Sequence, residues 1–418
     1  MDRGRGFPSV PGTPAGSGVT AARGLRRTAF ALGVLVVGLA PDPCDAQAVL
    51  FQPQILVGVG YTDNARILGE EKADTTIYRL GLVLPVTRAL RRGSLHFSYS
   101  PLFERFQNVE ELDNVGHRAA FRLDTSPTEV SSFGLQLAYT RLEDERDPRE
   151  EDPALVFLTE PIEREVASVG VSFSRRMSPR WAWATSLGFS DWSFQRVEDT
   201  TAVSSLEDRQ ETRGSFSLRR RLDEHVSLGG DYDVRHFELT ESGAATAHSV
   251  GLVLGREVTD RLSVALTLGA YFTEREVGDS TSGVQGRFSL RRAYRRVTLD
   301  LDIAHRPSVG GTHPGTAVTT VAQAGLTGSL SRPWSWGLFG RYGHRNPDLE
   351  GQPSLDTAAF GGSIERRFID VLALRLGASY AEQFADADAD VDEASVYRAD
   401  LSLVIYPLAR TGLGGRGS

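Results

Sequence analysis

Apolar and polar residues alternate along most of the chain after residue 48. Between 225 and 239, Val226, Leu228, Tyr232 and Val234 share one face, and Ser227, Asp231, Asp233 and Arg235 the other. Between 261 and 275, Leu262, Val264, Leu266, Leu268 and Phe272 oppose Ser263, Thr267, Gly269, Thr273 and Arg275. Residues 296–306 and 371–380 repeat the pattern, with Leu299, Leu301 and Ile303 against Asp300 and Asp302, and Leu372, Leu374 and Leu376 against Arg375 and Gly377. A period of two is the signature of a β-strand. The runs are mostly about 10–15 residues long, against a usual ~5–6 in soluble sheets. A tilted strand that crosses a bilayer needs ~9–11.

The connections alternate in length. Short ones fall at 125–131, 176–181, 222–226, 258–262, 293–297, 331–335 and 366–372. Long polar ones fall at 63–75, 107–114, 141–164, 197–210, 239–247, 276–283, 307–315, 346–354 and 385–393. A soluble sandwich has no reason to make every second connection long. A transmembrane barrel does, with short periplasmic turns and long extracellular loops. The pattern predicts an all-β, single transmembrane antiparallel barrel of about 18 strands, give or take two. They lie near 53–62, 76–86, 94–105, 115–124, 132–142, 163–176, 180–195, 211–221, 225–238, 246–257, 261–275, 283–293, 296–306, 316–330, 334–345, 355–367, 370–384 and 394–406. An even number puts both ends of the barrel on the periplasmic side, and barrels of this size enclose an aqueous channel.

Aromatic residues gather near strand ends. Trp181, Trp183, Trp334 and Trp336 follow short turns, and Tyr61, Phe103, Phe106, Phe194, Phe237, Phe272, Tyr342 and Phe384 lie toward the long loops. Two girdles at the two membrane interfaces account for this. Charged residues on the polar faces must point inward, because each would cost ~2–4 kcal/mol in lipid at mid-membrane. The candidate pore lining is Arg79, Arg122, Arg213, Arg219, Asp231, Asp233, Arg235, Arg287, Asp300, Asp302, Arg375, Arg398 and Asp400. Two readings stand side by side: a lining that selects solutes, or Arg–Asp pairs that tie strands together and fill the lumen. Both signs are well represented, so no strong ion preference is expected.

Composition adds an export route. Arg23, Arg26 and Arg27 precede the apolar run 29–40, and Ala46-Gln47-Ala48 is a small-x-small cleavage site. Twelve apolar residues are too few to span a ~30 Å hydrocarbon core and suit a signal peptide. The expected organisation is a signal peptide at 1–48, a barrel at 49–406 and a short tail at 407–418. The one cysteine, Cys44, leaves with the leader, so no disulfide or thiol chemistry is expected. The whole chain carries a net charge of −8. Five Arg and three Asp lie in the leader, which leaves 41 cations against 51 anions. A nucleic-acid partner would call for a basic face instead.

Enzyme motifs are absent from the sequence: no G-x-S-x-G, no H-E-x-x-H, and no phosphate loop. None of the eight His falls into a nucleophile constellation with a nearby Ser. The acidic run Asp386 to Glu393 offers alternating oxygens to a hard cation but lacks the glycine and closing glutamate of an EF-hand. No cofactor or metal is expected. Asp63 and Asn64, at the end of "GVGYTDNARI", are turn formers that mark where the first strand leaves the membrane.

The stretches "GVGYTDNARI", "TTIYRLGLVLPV" and "GSLHFSYSPLFERFQNVEELDNVGHRAAFRL" resemble the start of the β-barrel porin type 2 family, which overlaps with barrels of exopolysaccharide export clusters. The resemblance rests on Tyr61 to Asn64, on Ser98-Tyr99 and on Glu104-Arg105-Phe106, and covers roughly residues 55–125. It implies a Gram-negative outer-membrane barrel, possessing no catalytic residues, with surface polysaccharide export as its setting. Its partners are then outer-membrane lipid and lipopolysaccharide, the barrel assembly machinery and polysaccharide export components. The final strand ends at Tyr406 rather than at the chain terminus, so the assembly signal is expected to be internal.

Overall fold

A computed structural model describes residues 49–65, 74–143, 162–196, 208–240, 243–276, 280–309, 316–347, 354–385 and 394–407. The expected signal peptide, the acidic run 386–393, most of the loop 141–164 and the tail after 407 lie outside them. The described strands are β1 (Val49–Phe51), β2 (Gln54–Thr62), β3 (Thr75–Leu90), β4 (Gly93–Phe106), β5 (Asn114–Thr128), β6 (Ser131–Glu143), β7 (Ile162–Arg176), β8 (Trp181–Arg196), β9 (Arg209–Arg221) and β10 (Val226–Leu239). They continue as β11 (Gly243–Thr259), β12 (Leu262–Arg275), β13 (Thr281–Ala293), β14 (Val297–Val309), β15 (Thr316–Ser331), β16 (Trp334–Pro347), β17 (Leu355–Ile369), β18 (Leu372–Ala385) and β19 (Ala394–Ile405).

From β2 onward every strand pairs antiparallel with the next, and β19 pairs with β2 from Arg398↔Thr62 to Ile405↔Ile55. β1 and β2 pair with successive parts of β3 and form one stave, broken at Gln52-Pro53, where proline cannot donate to the ladder. The result is a closed barrel of 18 staves with no free edge. Carried from strand to strand once around, the register returns to β2 displaced by about 22 residues. For 18 strands that slip corresponds to a tilt of ~40° and a backbone diameter of ~35 Å.

The register assigns every side chain a face. Leu80, Leu187, Leu252, Leu268, Val284 and Phe360 are 46–73% exposed and all lie on the outward face. So broad an apolar belt is stable only against lipid. Inward positions at mid-height are small: Gly188 pairs with Gly170, and Gly251 with Gly269. The second pair is a close approach, where a Cβ on Gly269 would sit 2.0 Å from the Val250 carbonyl oxygen.

The ends of the barrel differ in their aromatic residues. Trp181, Trp183, Trp334 and Trp336 ring the turn end on the outward face, and Tyr61, Phe103, Phe272, Tyr342 and Phe384 ring the loop end. Phe106, Phe194 and Phe237 depart from the expected girdle and face inward. Parity along the strand overrides nearness to its end: Phe237 shares the face of Asp233 and Arg235 and packs on Leu239 and Ala247. Phe106 packs against Ala65, Val109 and Leu112, part of the ordered segment 107–113.

Asp63 and Asn64 do more than end a strand. The Asp63 N–H donates to the Tyr397 carbonyl (3.2 Å), and its Oδ1 accepts from the Tyr397 N–H (2.6 Å). The fully buried Asn64 donates through Nδ2 to the Ser395 carbonyl (3.1 Å). Together they clasp the seam where the first stave meets the last. At the other end, the Asp223 carboxylate closes the β9–β10 turn by accepting from the His225 and Val226 N–H groups, both at 2.7 Å. Those two backbone bonds hold its pKa below the usual carboxylate value.

Candidate functional site: the inner wall

The thirteen candidate charges all lie on the inward face, and most are joined across strands. Asp233 sits between Arg213 (2.7 Å) and Arg235 (2.8 Å). Arg287 meets Asp302 at 2.9 Å, and Arg291 meets Asp300 at 3.6 Å. Arg79 meets Glu104 at 2.7 Å, Arg375 meets Glu365 at 2.8 Å, and Arg122 meets Asp124 at 2.6 Å. Arg219 and Asp231 stand on adjoining strands one inward rung apart. Arg398 faces Thr62 and Ser379, and Asp400 faces Gly60 and Gly377, where missing side chains make room for its carboxylate.

The register also places further charges on this face beyond the thirteen. Arg118, Arg164, Arg176, Arg209, Arg221, Arg275, Arg291, Arg306, Arg341, Arg345 and Arg367 face inward, as do Glu104, Asp124, Glu211, Glu257 and Glu365. With the eight Arg and five Asp of the candidate set, the described inward wall holds nineteen Arg against ten carboxylates. The whole chain is net −8, so its surplus of acid lies elsewhere. Summing the sequence hides this, because alternation distributes charge by face.

The wall has sectors. On β6, β7 and β8 the inward positions from Ser132 to Thr140, Val166 to Ser174 and Ala182 to Ser190 carry no ionisable side chain. Hydroxyls meet there instead, Ser132 with Ser174 (2.7 Å) and Ser186 with Ser215 on β9 (2.6 Å). The paired charges concentrate on β9–β10 and β13–β14.

The wall also changes along its axis. Toward the loop end, inward side chains are buried: Glu104 is 5% exposed, Arg209 4%, Arg345 1%, and Thr319 and Leu355 0%. Trp192 lies there with the Arg209 guanidinium 4.2 Å from its ring centroid and that of Arg164 at 6.0 Å. Toward the turn end the same chemistry faces water. The Arg287 and Arg291 side chains are 62% and 71% exposed. A cavity of about 830 Å³ opens there, lined by Arg221, Glu257, Arg291, Asp300, Asp302 and Arg341 among others.

Among the described residues no group of three or more His, Asp or Glu is placed to hold a metal ion. Five His (117, 236, 248, 305, 344) face outward near the loop end, with Nδ1 engaged by Tyr99, Thr246, Tyr232, Thr320 and Asp356 respectively.

No family model matches the sequence, and no curated protein matches it. Solved structures similar to it include OccK2 (OpdF) of Pseudomonas aeruginosa, with 11% identity and a TM-score of 0.45 over 86% of this chain and 98% of that one. OccAB3 of Acinetobacter baumannii has 11% identity and a TM-score of 0.45 over 85% and 99%. The siderophore receptor PirA of P. aeruginosa has 9% identity and a TM-score of 0.42 over 88% and 81%. The strand register and the apolar belt are what make this chain an 18-stranded transmembrane β-barrel.

Proposed function

We propose that the protein is a non-enzymatic outer-membrane channel that passes small polar solutes and favours anions. The excess of Arg over carboxylate on the inward wall carries this reading. A low-dielectric cylinder focuses the field of such a lining on its lumen, and rings of Arg favour anions. The thirteen candidate residues act as part of that lining, with the hydroxyl sector of β6–β8 beside the charged strands β9–β10. The barrel assembly machinery and outer-membrane lipid are its expected partners. The finer reading, service to surface polysaccharide export, is supported by the resemblance at residues 55–125. Glycosyltransferase and export genes beside its gene would strengthen that link, and their absence would remove it.

A second reading is a structural barrel with a closed lumen, favoured by the burial of Arg345, Thr319 and Leu355 toward the loop end. Planar-bilayer recording of the purified, folded chain separates the two. Discrete single-channel steps are expected, and a silent bilayer leaves the structural barrel standing.

A further inference from the structure

The outward face is positive at its turn end and mixed, with carboxylates in excess, at its loop end. At the turn end, the descending strands β3, β7, β9, β11, β13 and β17 each place one Arg outward just before their turn: Arg88, Arg175, Arg220, Arg256, Arg292 and Arg366. No described strand places Asp or Glu outward at that level. At the loop end the outward carboxylates include Glu163, Glu165, Glu238, Glu274 and Glu382.

Three of the turn-end guanidiniums are seated on aromatic rings. Arg220 lies 5.4 Å from the Trp181 centroid, Arg292 4.7 Å from Tyr294, and Arg366 5.1 Å from Trp334 and 4.8 Å from Phe368. None of the three is ion-paired with a described carboxylate. A stacked guanidinium spends its face on the ring and keeps its N–H edge for two oxygens of a carboxylate or phosphate. A row of such edges, of one sign, at the level where the apolar belt ends matches the phosphodiester of a membrane lipid in charge and height.

Resting on the reading of the chain as a membrane barrel, we propose that this turn-end ring binds the headgroups of anionic glycerophospholipids in the leaflet it faces, with Arg220, Arg292 and Arg366 as its fixed sites. The full chain is folded into vesicles of phosphatidylcholine mixed equally with phosphatidylglycerol, and retained lipid is counted by native mass spectrometry. Phosphatidylglycerol is expected to be retained over phosphatidylcholine by roughly fivefold per site. The triple variant Arg220→Gln, Arg292→Gln, Arg366→Gln should retain the two lipids alike, while Arg105→Gln with Arg141→Gln, the same substitution at outward loop-end arginines that pair with Asp113 and Glu163, should leave the preference intact. Equal retention by the unaltered chain overturns the proposal, as does a preference that survives in the triple variant. If the triple variant does not fold, each single substitution should still lower the phosphatidylglycerol count, and unchanged counts overturn the proposal equally. A chain that enters no vesicle at all would sink the membrane reading instead.

Discussion

Two ion pairs of nearly equal length show how the barrel differs from end to end. Arg79–Glu104, toward the loop end, spans 2.7 Å with side chains 13% and 2% exposed. Arg287–Asp302, toward the turn end, spans 2.9 Å with side chains 62% and 20% exposed. Both join neighbouring strands on the inward face. Glu104 is buried and also accepts from the Asn114 amide (3.4 Å), so the pair works as a strut that fails if one partner goes. Arg287 is largely in water, where its attraction to Asp302 contributes little to stability; in the proposed channel its field would act on solutes. Burial, rather than distance, decides whether an Arg–carboxylate rung is structural or functional. Under the proposed function, the two readings of the lining apply at different heights of one lumen.

The sharpest way to break the comparison is to remove each cation. Arg79→Ala leaves Glu104 buried without its main partner and should cost ~3–5 kcal/mol. It is read as a large drop in the temperature at which the heat-modifiable folded band is lost. Next, Asn64→Ala removes a buried seam donor at the loop end and should cost ~1–3 kcal/mol by the same assay, since its hydrogen bond to the Ser395 carbonyl is lost. Arg287→Ala should cost less than ~1 kcal/mol yet move the reversal potential in a salt gradient toward cations; Asp302→Asn should move it the other way. A stability loss for Arg287→Ala as large as that for Arg79→Ala would erase the distinction.

The smallest effect belongs to the turn at the foot of the charged sector. The folded pKa of Asp223 lies below its unfolded value of about 3.9. Its stabilisation is therefore complete above that value and is lost as pH falls through the lower, folded one. Asp223→Asn should lower the melting temperature slightly at neutral pH and flatten the acid limb, so that the two chains converge below pH ~4. The β7–β8 turn supplies the contrast: Ser178 accepts the Trp181 N–H (3.1 Å) there and does not titrate.

Much of this was legible in the sequence. Period-two alternation and the rhythm of short and long connections marked out a barrel of 18 staves, because each strand must satisfy lipid on one side. The same alternation marked the thirteen inward charges. Pairing was not legible, since whether Arg79 meets Glu104 depends on a cross-strand register that neither segment encodes alone. Phe106, Phe194 and Phe237 depart from their expected girdle because parity along the strand, and not nearness to its end, sets the face. The Arg excess of the lining was less legible, because residues such as Arg209, Arg341 and Arg345 take their inward place from the register. Asp63 and Asn64 were readable as turn formers, but their role as a clasp depends on Ser395 and Tyr397, over three hundred residues away.

The most direct test of the account is the reversal potential of single channels formed by the purified chain in a potassium chloride gradient. The Arg-rich wall predicts discrete conductance steps whose reversal potential lies on the chloride side of zero. A reversal potential on the potassium side would contradict it, as would a folded barrel that conducts nothing.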